Sequence, residues 1–123
     1  MDAVREVGLR LGVLASWAAQ ERHMVNATAD QYLLIEEAID CALEIGEQKL
    51  LLSMDGHTKQ SATRFLEVLR REVDMLDSLP RMPWPLAVLH DPALTRVREA
   101  AQACLTEIGF DLASWERAEG YSA

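Results

Sequence analysis

The side chains best able to do chemistry in this sequence are three histidines, two cysteines and 20 carboxylates. Their spacing argues against a reacting centre. Inward carboxylates with Glu-x-x-His pairs can build a two-metal site, because that spacing puts both ligands on one helix face. His23, His57 and His90 each fall in or beside a stretch that reads as a loop, and none follows a Glu by three residues. The chain also lacks His-Glu-x-x-His, a glycine-rich phosphate loop, a nucleophile elbow, Cys-x-x-Cys and an EF-hand ladder. Asp55-Gly56-His57 sets a carboxylate beside an imidazole, a pairing able to orient a general base. The same three residues are also ordinary chemistry for a turn that ends a helix. The expectation is a protein with no catalytic residue, no metal site and no cofactor.

The carboxylates carry a clearer signal. Between Ala27 and Gln48 stand Asp30, Glu36, Glu37, Asp40, Glu44 and Glu47, with no Lys or Arg, so one segment supplies −6 of a formal charge of −8. Like charges four residues apart each oppose a helix by a few tenths of a kcal/mol, roughly. Neighbouring segments do the reverse, since Glu6 with Arg10 and Glu67 with Arg71 are favourable four-residue pairs. Asp30 has a local explanation, because a first-turn carboxylate suits the helix dipole. The others form an acidic strip fit for a cationic partner, whose encounter it would steer. Calcium is a poorer match, because carboxylates on one straight helix face diverge and cannot surround an ion. Trp84, between Pro83 and Pro85, reads either as a core plug or as a stiffly held aromatic anchor for a partner. The candidate partner-binding residues are therefore Glu36, Glu37, Asp40, Glu44, Glu47 and Trp84.

Net charge excludes other partners. A chain at −8, with a pI near 4.8, opposes the phosphate contacts that dominate nucleic-acid affinity. It opposes anionic membrane surfaces for the same reason. No leader with a basic start and an apolar stretch opens the sequence, and no apolar run approaches a membrane span. Cys41 and Cys104 each sit in an Ala-rich helical segment and read as reduced core thiols. These features predict a soluble cytoplasmic protein.

The elements that must hold the strip follow from apolar spacing. In 123 residues, 50% apolar and 26% charged, one hydrophobic core is expected. Val4, Val7, Leu11, Leu14 and Ala18 mark a helix over about 2–21, with Gly8 and Gly12 allowing close approach of another helix. Thr28 and Gln31 match a capping box. They open a helix over about 29–54 whose buried line is Tyr32, Ile35, Ile39, Ala42 and Ile45, and whose end at Leu50–Met54 takes helix over a short strand. Ala62, Phe65, Leu69, Val73 and Leu76 mark a third helix over about 58–79. Three prolines in the six residues from Pro80 to Pro85 then fix an extended connector. Asp91-Pro92 starts a fourth helix over about 92–108, stopped by Gly109, and Asp111 caps a short one over about 112–119. The fold class predicted is all-α, a single-domain bundle of four long helices and a short terminal one.

With no machinery for catalysis, the function expected is a small acidic binding protein that neutralises a basic protein partner. The concrete version is an immunity protein or antitoxin against a nuclease toxin, whose substrate cleft must be positive. Acidic helical immunity proteins of DNase bacteriocins resemble this chain in composition only, since their paired-tyrosine motif is absent: Tyr32 and Tyr121 are far apart. The alternatives are an acidic chaperone or adaptor for a secreted or signalling protein, in which Gly8 and Gly12 could mark a subunit contact, and a helical binder of a small ligand held between helices.

Overall fold

Asp2 starts the first helix, accepting hydrogen bonds from the backbone N–H groups of Val4 and Arg5, and α1 runs Ala3–Ala15. The computed structural model describes residues 2–26 and 35–121, all-α with no strand among them. Val7, Leu11 and Leu14 are fully buried, as their spacing predicts, while Val4 and Ala18 of the same line are half-buried and Ala15, outside it, is fully buried.

The expected helix over 2–21 is broken at Ser16. That residue turns extended, with φ −102° and ψ 112°, and its hydroxyl accepts from Ala19 N–H to cap α2, Trp17–Gln20. A break of this kind orphans the carbonyls that precede it. Two glutamines satisfy them: the Gln20 amide donates to Val13 and Leu14 carbonyls at 3.0 and 2.9 Å, and the Gln102 amide to Ala15 at 2.9 Å. The chain then continues as a π-helix, Glu21–Val25, with Met24 fully buried. His23, Met24 and Val25 are thus helical, not part of a loop. Glutamine side chains bonding distant carbonyls leave no periodic trace, so apolar spacing ran through the break.

The second helix is also shorter than its spacing suggests. Its capping box, Thr28 to Gln31, and Asp30 and Tyr32 lie outside the described residues. Helix α3 runs Ile35–Leu43, tightens into a 3-10 turn at Glu44–Gly46, passes an extended Glu47 and resumes as α4, Gln48–Leu52. Leu50 to Leu52 is therefore helix, but not the same helix. The break has a packing reason. In one continuous helix Ile45 and Leu50, five residues apart, would point about 140° from one another; broken, both reach the core, at 0% and 7% exposed. Gly46 allows this by lying against α5, where a Cβ would come 3.3 Å from Leu66 Cδ1.

The remaining elements follow their caps. Asp55 accepts from Thr58 N–H at 2.7 Å to open α5, Gly56–Asp77. A 3-10 turn, Leu86–His90, ends the proline connector, and α6 runs Pro92–Ile108 from Asp91 to Gly109, left-handed at φ 81°. Asp111 caps α7, Leu112–Ala118. Helix α5 packs along α6, and α1 lies against α6 and α3. Both cysteines are free.

Gly8 and Gly12 do mark a close approach. A Cβ on Gly8 would fall 2.1 Å from Phe110 Cδ2, and one on Gly12 2.7 Å from Trp115 Cζ2. The chain's own C-terminal segment covers this seam, so the expected subunit contact through it is not supported. Gly8→Leu should expel the Phe110 ring and lower stability by roughly 1–3 kcal/mol, an overpacking cost exceeding the helix-propensity gain of up to about 1 kcal/mol. Urea denaturation followed by helical CD measures it. An unchanged midpoint would show that the ring does not need this seat.

Candidate protein-binding face

Helix α3 separates its residues by their angular positions. Ile35, Ala38, Ile39 and Ala42 point into the core, while Glu36, Glu37 and Asp40 stand exposed on the other side. Glu44 and Glu47, exposed as well, continue the acidic run through the 3-10 turn. The structure thus brings the five described strip residues onto the surface of one segment.

The strip is less uniform than its sequence implies. Arg10, reaching across from α1, pairs with the Glu44 carboxylate while its Nε lies 3.1 Å from Glu6 Oε1 and its Nη1 donates to Cys41 O at 3.3 Å. Glu44 is therefore neutralised from outside its own helix, a contact that spacing along one segment cannot reveal. Glu36, Glu37, Asp40 and Glu47 make no ion pair among the described residues. Where α1 meets the broken helix, a groove of about 180 Å³ opens, lined by Glu6, Arg10, Glu44, Glu47, Lys49 and Leu50.

Trp84 sits in the core and not on the exposed face. It is 2% exposed, its indole N–H donates to Pro80 O at 2.8 Å and its backbone N–H to Met24 O at 2.7 Å. A Trp whose N–H finds a partner inside the protein can be buried without an orphaned donor. The proline connector folds the ring inward beneath the π-helix, so the plug is the reading that holds.

Sequence spacing missed a second polar assembly. Arg98 is 6% exposed; its Nη1 donates to Gln20 Oε1 at 2.8 Å, its Nη2 to Leu89 O at 2.9 Å, and its guanidinium lies 4.7 Å from the Trp17 ring centroid. Burial pulls the Arg98 pKa below its ordinary value, opposed by the Glu99 charge. The signal was present: Arg98 follows Leu94 by four residues and precedes Ala101 by three, which places it on the inward stripe of α6.

Beyond Trp17 lies an open cleft of about 810 Å³, bordered by Glu21, Arg22, His23 and Tyr121 among others. Its rings are already engaged. Trp17 donates to Glu21 at 3.0 Å and stacks edgewise on His90, while Tyr121 meets His23 at 2.9 Å, Arg22 over its face and Trp115 beside it. Elsewhere, burial pushes the Cys104 thiol up to about 11, which removes it as a nucleophile at neutral pH. His57 bonds the Glu107 backbone carbonyl rather than a carboxylate. Among the described residues no group of three or more His, Cys, Asp or Glu is placed to hold a metal, and no helix is long and apolar enough to cross a membrane. Comparison with known proteins finds no matching family model, curated protein or solved structure, so the reading of this chain rests on its own residues.

Proposed function

We propose that this chain is a small acidic binding protein that docks a basic protein partner through the outward face of α3. The concrete version is an immunity protein or antitoxin that neutralises a nuclease toxin. One observation carries the reading: Glu36, Glu37 and Asp40 are exposed and make no ion pair among the described residues, on a helix whose opposite side is core. A nuclease needs positive charge to hold phosphates, and a protein that covers its cleft needs the opposite field. The fixed backbone of α3 presents that field without reorganisation. Small-ligand binding is a second reading, favoured only by the size of the Trp17 cleft, which lies in the range of ligand pockets.

The test is affinity capture from the native host at low salt, with the protein and with Glu36→Lys, Glu37→Lys and Asp40→Lys combined. Glu44 is left intact because a Lys there would face Arg10. The protein is expected to retain a partner rich in Lys and Arg that dissociates as salt rises, and the triple variant to lose it with its helical CD unchanged. Equal retention by both would remove the acidic face from the mechanism. For the nuclease version, the captured partner should cleave nucleic acid alone and stop when an equimolar amount of this protein is added.

A further inference from the structure

Beyond its size, the Trp17 cleft is set apart by the backbone that forms it and by the charge beside it. Trp17 and Ala18 of α2, Arg22 and His23 of the π-helix, Asn26 and Tyr121 are among its lining. The Asn26 backbone N–H donates to Glu21 O at 2.9 Å, a bond reaching five residues back. Such wide turns are rare, and many of them sit at functional sites.

Glu21 and Arg22 balance one another along the lining, and the Glu21 carboxylate already accepts from the Trp17 indole N–H at 3.0 Å. Arg22 is exposed, makes no ion pair among the described residues and lies over the Tyr121 ring, 5.3 Å from its centroid. Arg98 adds a second guanidinium, packed on the Trp17 ring. Although buried, it donates only to neutral acceptors, Gln20 Oε1, Leu89 O and Thr95 Oγ1. A buried cation without a counter-ion is costly, and this one leaves positive charge in excess where Trp17 lines the cleft. Both rings thus carry a guanidinium already, which disfavours a cationic guest on the aromatic surface that would otherwise hold it.

We infer that the cleft is a binding site for a small aromatic anion, a flat ring bearing a carboxylate or a phosphate. Arg22, stacked on Tyr121, offers its planar fork to the anionic group, and Asn26 on the same lining adds an N–H donor. Trp17, Ala18 and Tyr121 supply apolar surface for the ring. These walls are set in advance, since Trp17 is held by Glu21 and His90, and Tyr121 by His23 and Trp115. Little ordering therefore opposes binding. The inference rests on the small-ligand reading and is independent of the acidic face of α3.

Calorimetry at low salt, in buffer free of phosphate, tests it with naphthoate, naphthyl phosphate, naphthylmethylamine and acetate. The better of the two ring anions should bind about tenfold more tightly than either the amine or acetate, and which of them it is tells carboxylate from phosphate. Arg22→Gln should weaken that anion about tenfold, and Arg22→Lys less, because it keeps the charge without the fork. Arg5→Gln, the same change of charge at the start of α1, should have no effect. If the amine or acetate binds as well as the ring anions, or if Arg22→Gln leaves their affinity unchanged, the aromatic-anion site is overturned. If no ring probe binds at all, the small-ligand reading falls with it. The acidic face is untouched by either failure, since Arg22→Gln should capture a basic partner as well as the unsubstituted protein does. Arg22 is in solvent, so its replacement leaves the fold in place, as helical CD will verify.

Discussion

Arg98→Ala is expected to lower stability by about 3 kcal/mol or more, because it removes the donors to two buried acceptors, Gln20 Oε1 and Leu89 O. That is a large share of the 5–15 kcal/mol, roughly, that holds a domain together. The guanidinium joins three elements: Gln20 at the end of α2, the 3-10 turn through Leu89, and its own helix through Thr95 at 3.4 Å. Gln20 depends on this grip, since the amide whose oxygen Arg98 holds closes the break at Ser16 with its NH2 group. Arg98→Lys keeps the charge but offers no planar fork to span two acceptors, so it should recover only part of the loss. Urea denaturation at constant m-value reads both variants. A midpoint for Arg98→Ala within experimental error of the unsubstituted protein would sink this account. So would equal stability of the Lys and Ala variants.

Trp84→Ala should cost about 3–5 kcal/mol, the range for emptying the site of a buried aromatic. The connector holding it is fastened through the indole N–H to Pro80 O and through the backbone to Met24 O. Trp84→Phe fills most of the volume but leaves Pro80 O without its donor, for a smaller loss of about 1–2 kcal/mol. The Phe variant also decides the residue's role. At a temperature where it stays folded, it should capture a basic partner as well as the unsubstituted protein does. A Trp84→Phe protein that is fully stable but loses its partner would return this residue to the interface.

The contrast between Trp84 and Glu44 shows what could be read from residue order. Caps were legible because a cap is a local event: Asp91 before Pro92, Gly109 after Ile108 and Asp111 before Leu112 act where they appear in the sequence. Most of the inward stripe of the long helices was legible for the same reason, since 3.6-residue periodicity is set by residues within a few turns. The two breaks were not. One at Ser16 depends on Gln102, 87 residues from the carbonyl it satisfies, and the other on Gly46 meeting Leu66. The candidate face shows the same division. Its outward direction at Glu36, Glu37 and Asp40 followed from the buried line of Ile35, Ile39 and Ala42, whereas the neutralising of Glu44 came from Arg10 on another helix. Whether Trp84 was plug or anchor turned on where a rigid connector folds, and neighbouring prolines fix its stiffness without fixing its direction.

The joint at Ser16 also bears on the order in which the molecule can be assembled. Ser16 donates to Glu116 at 2.6 Å across 100 residues of chain, and His23 meets Tyr121 across 98. Gln20 and Arg98 are 78 residues apart. Each contact closes a loop of more than half the protein's length, and the entropy of such closures must be met before they reward the fold. During synthesis, the segment from Ser16 to Val25 therefore stays unfinished until α6 and α7 have emerged. Opening α7 would take Glu116 away from Ser16, so the joint at Ser16 and the C-terminal segment are expected to loosen together under stress.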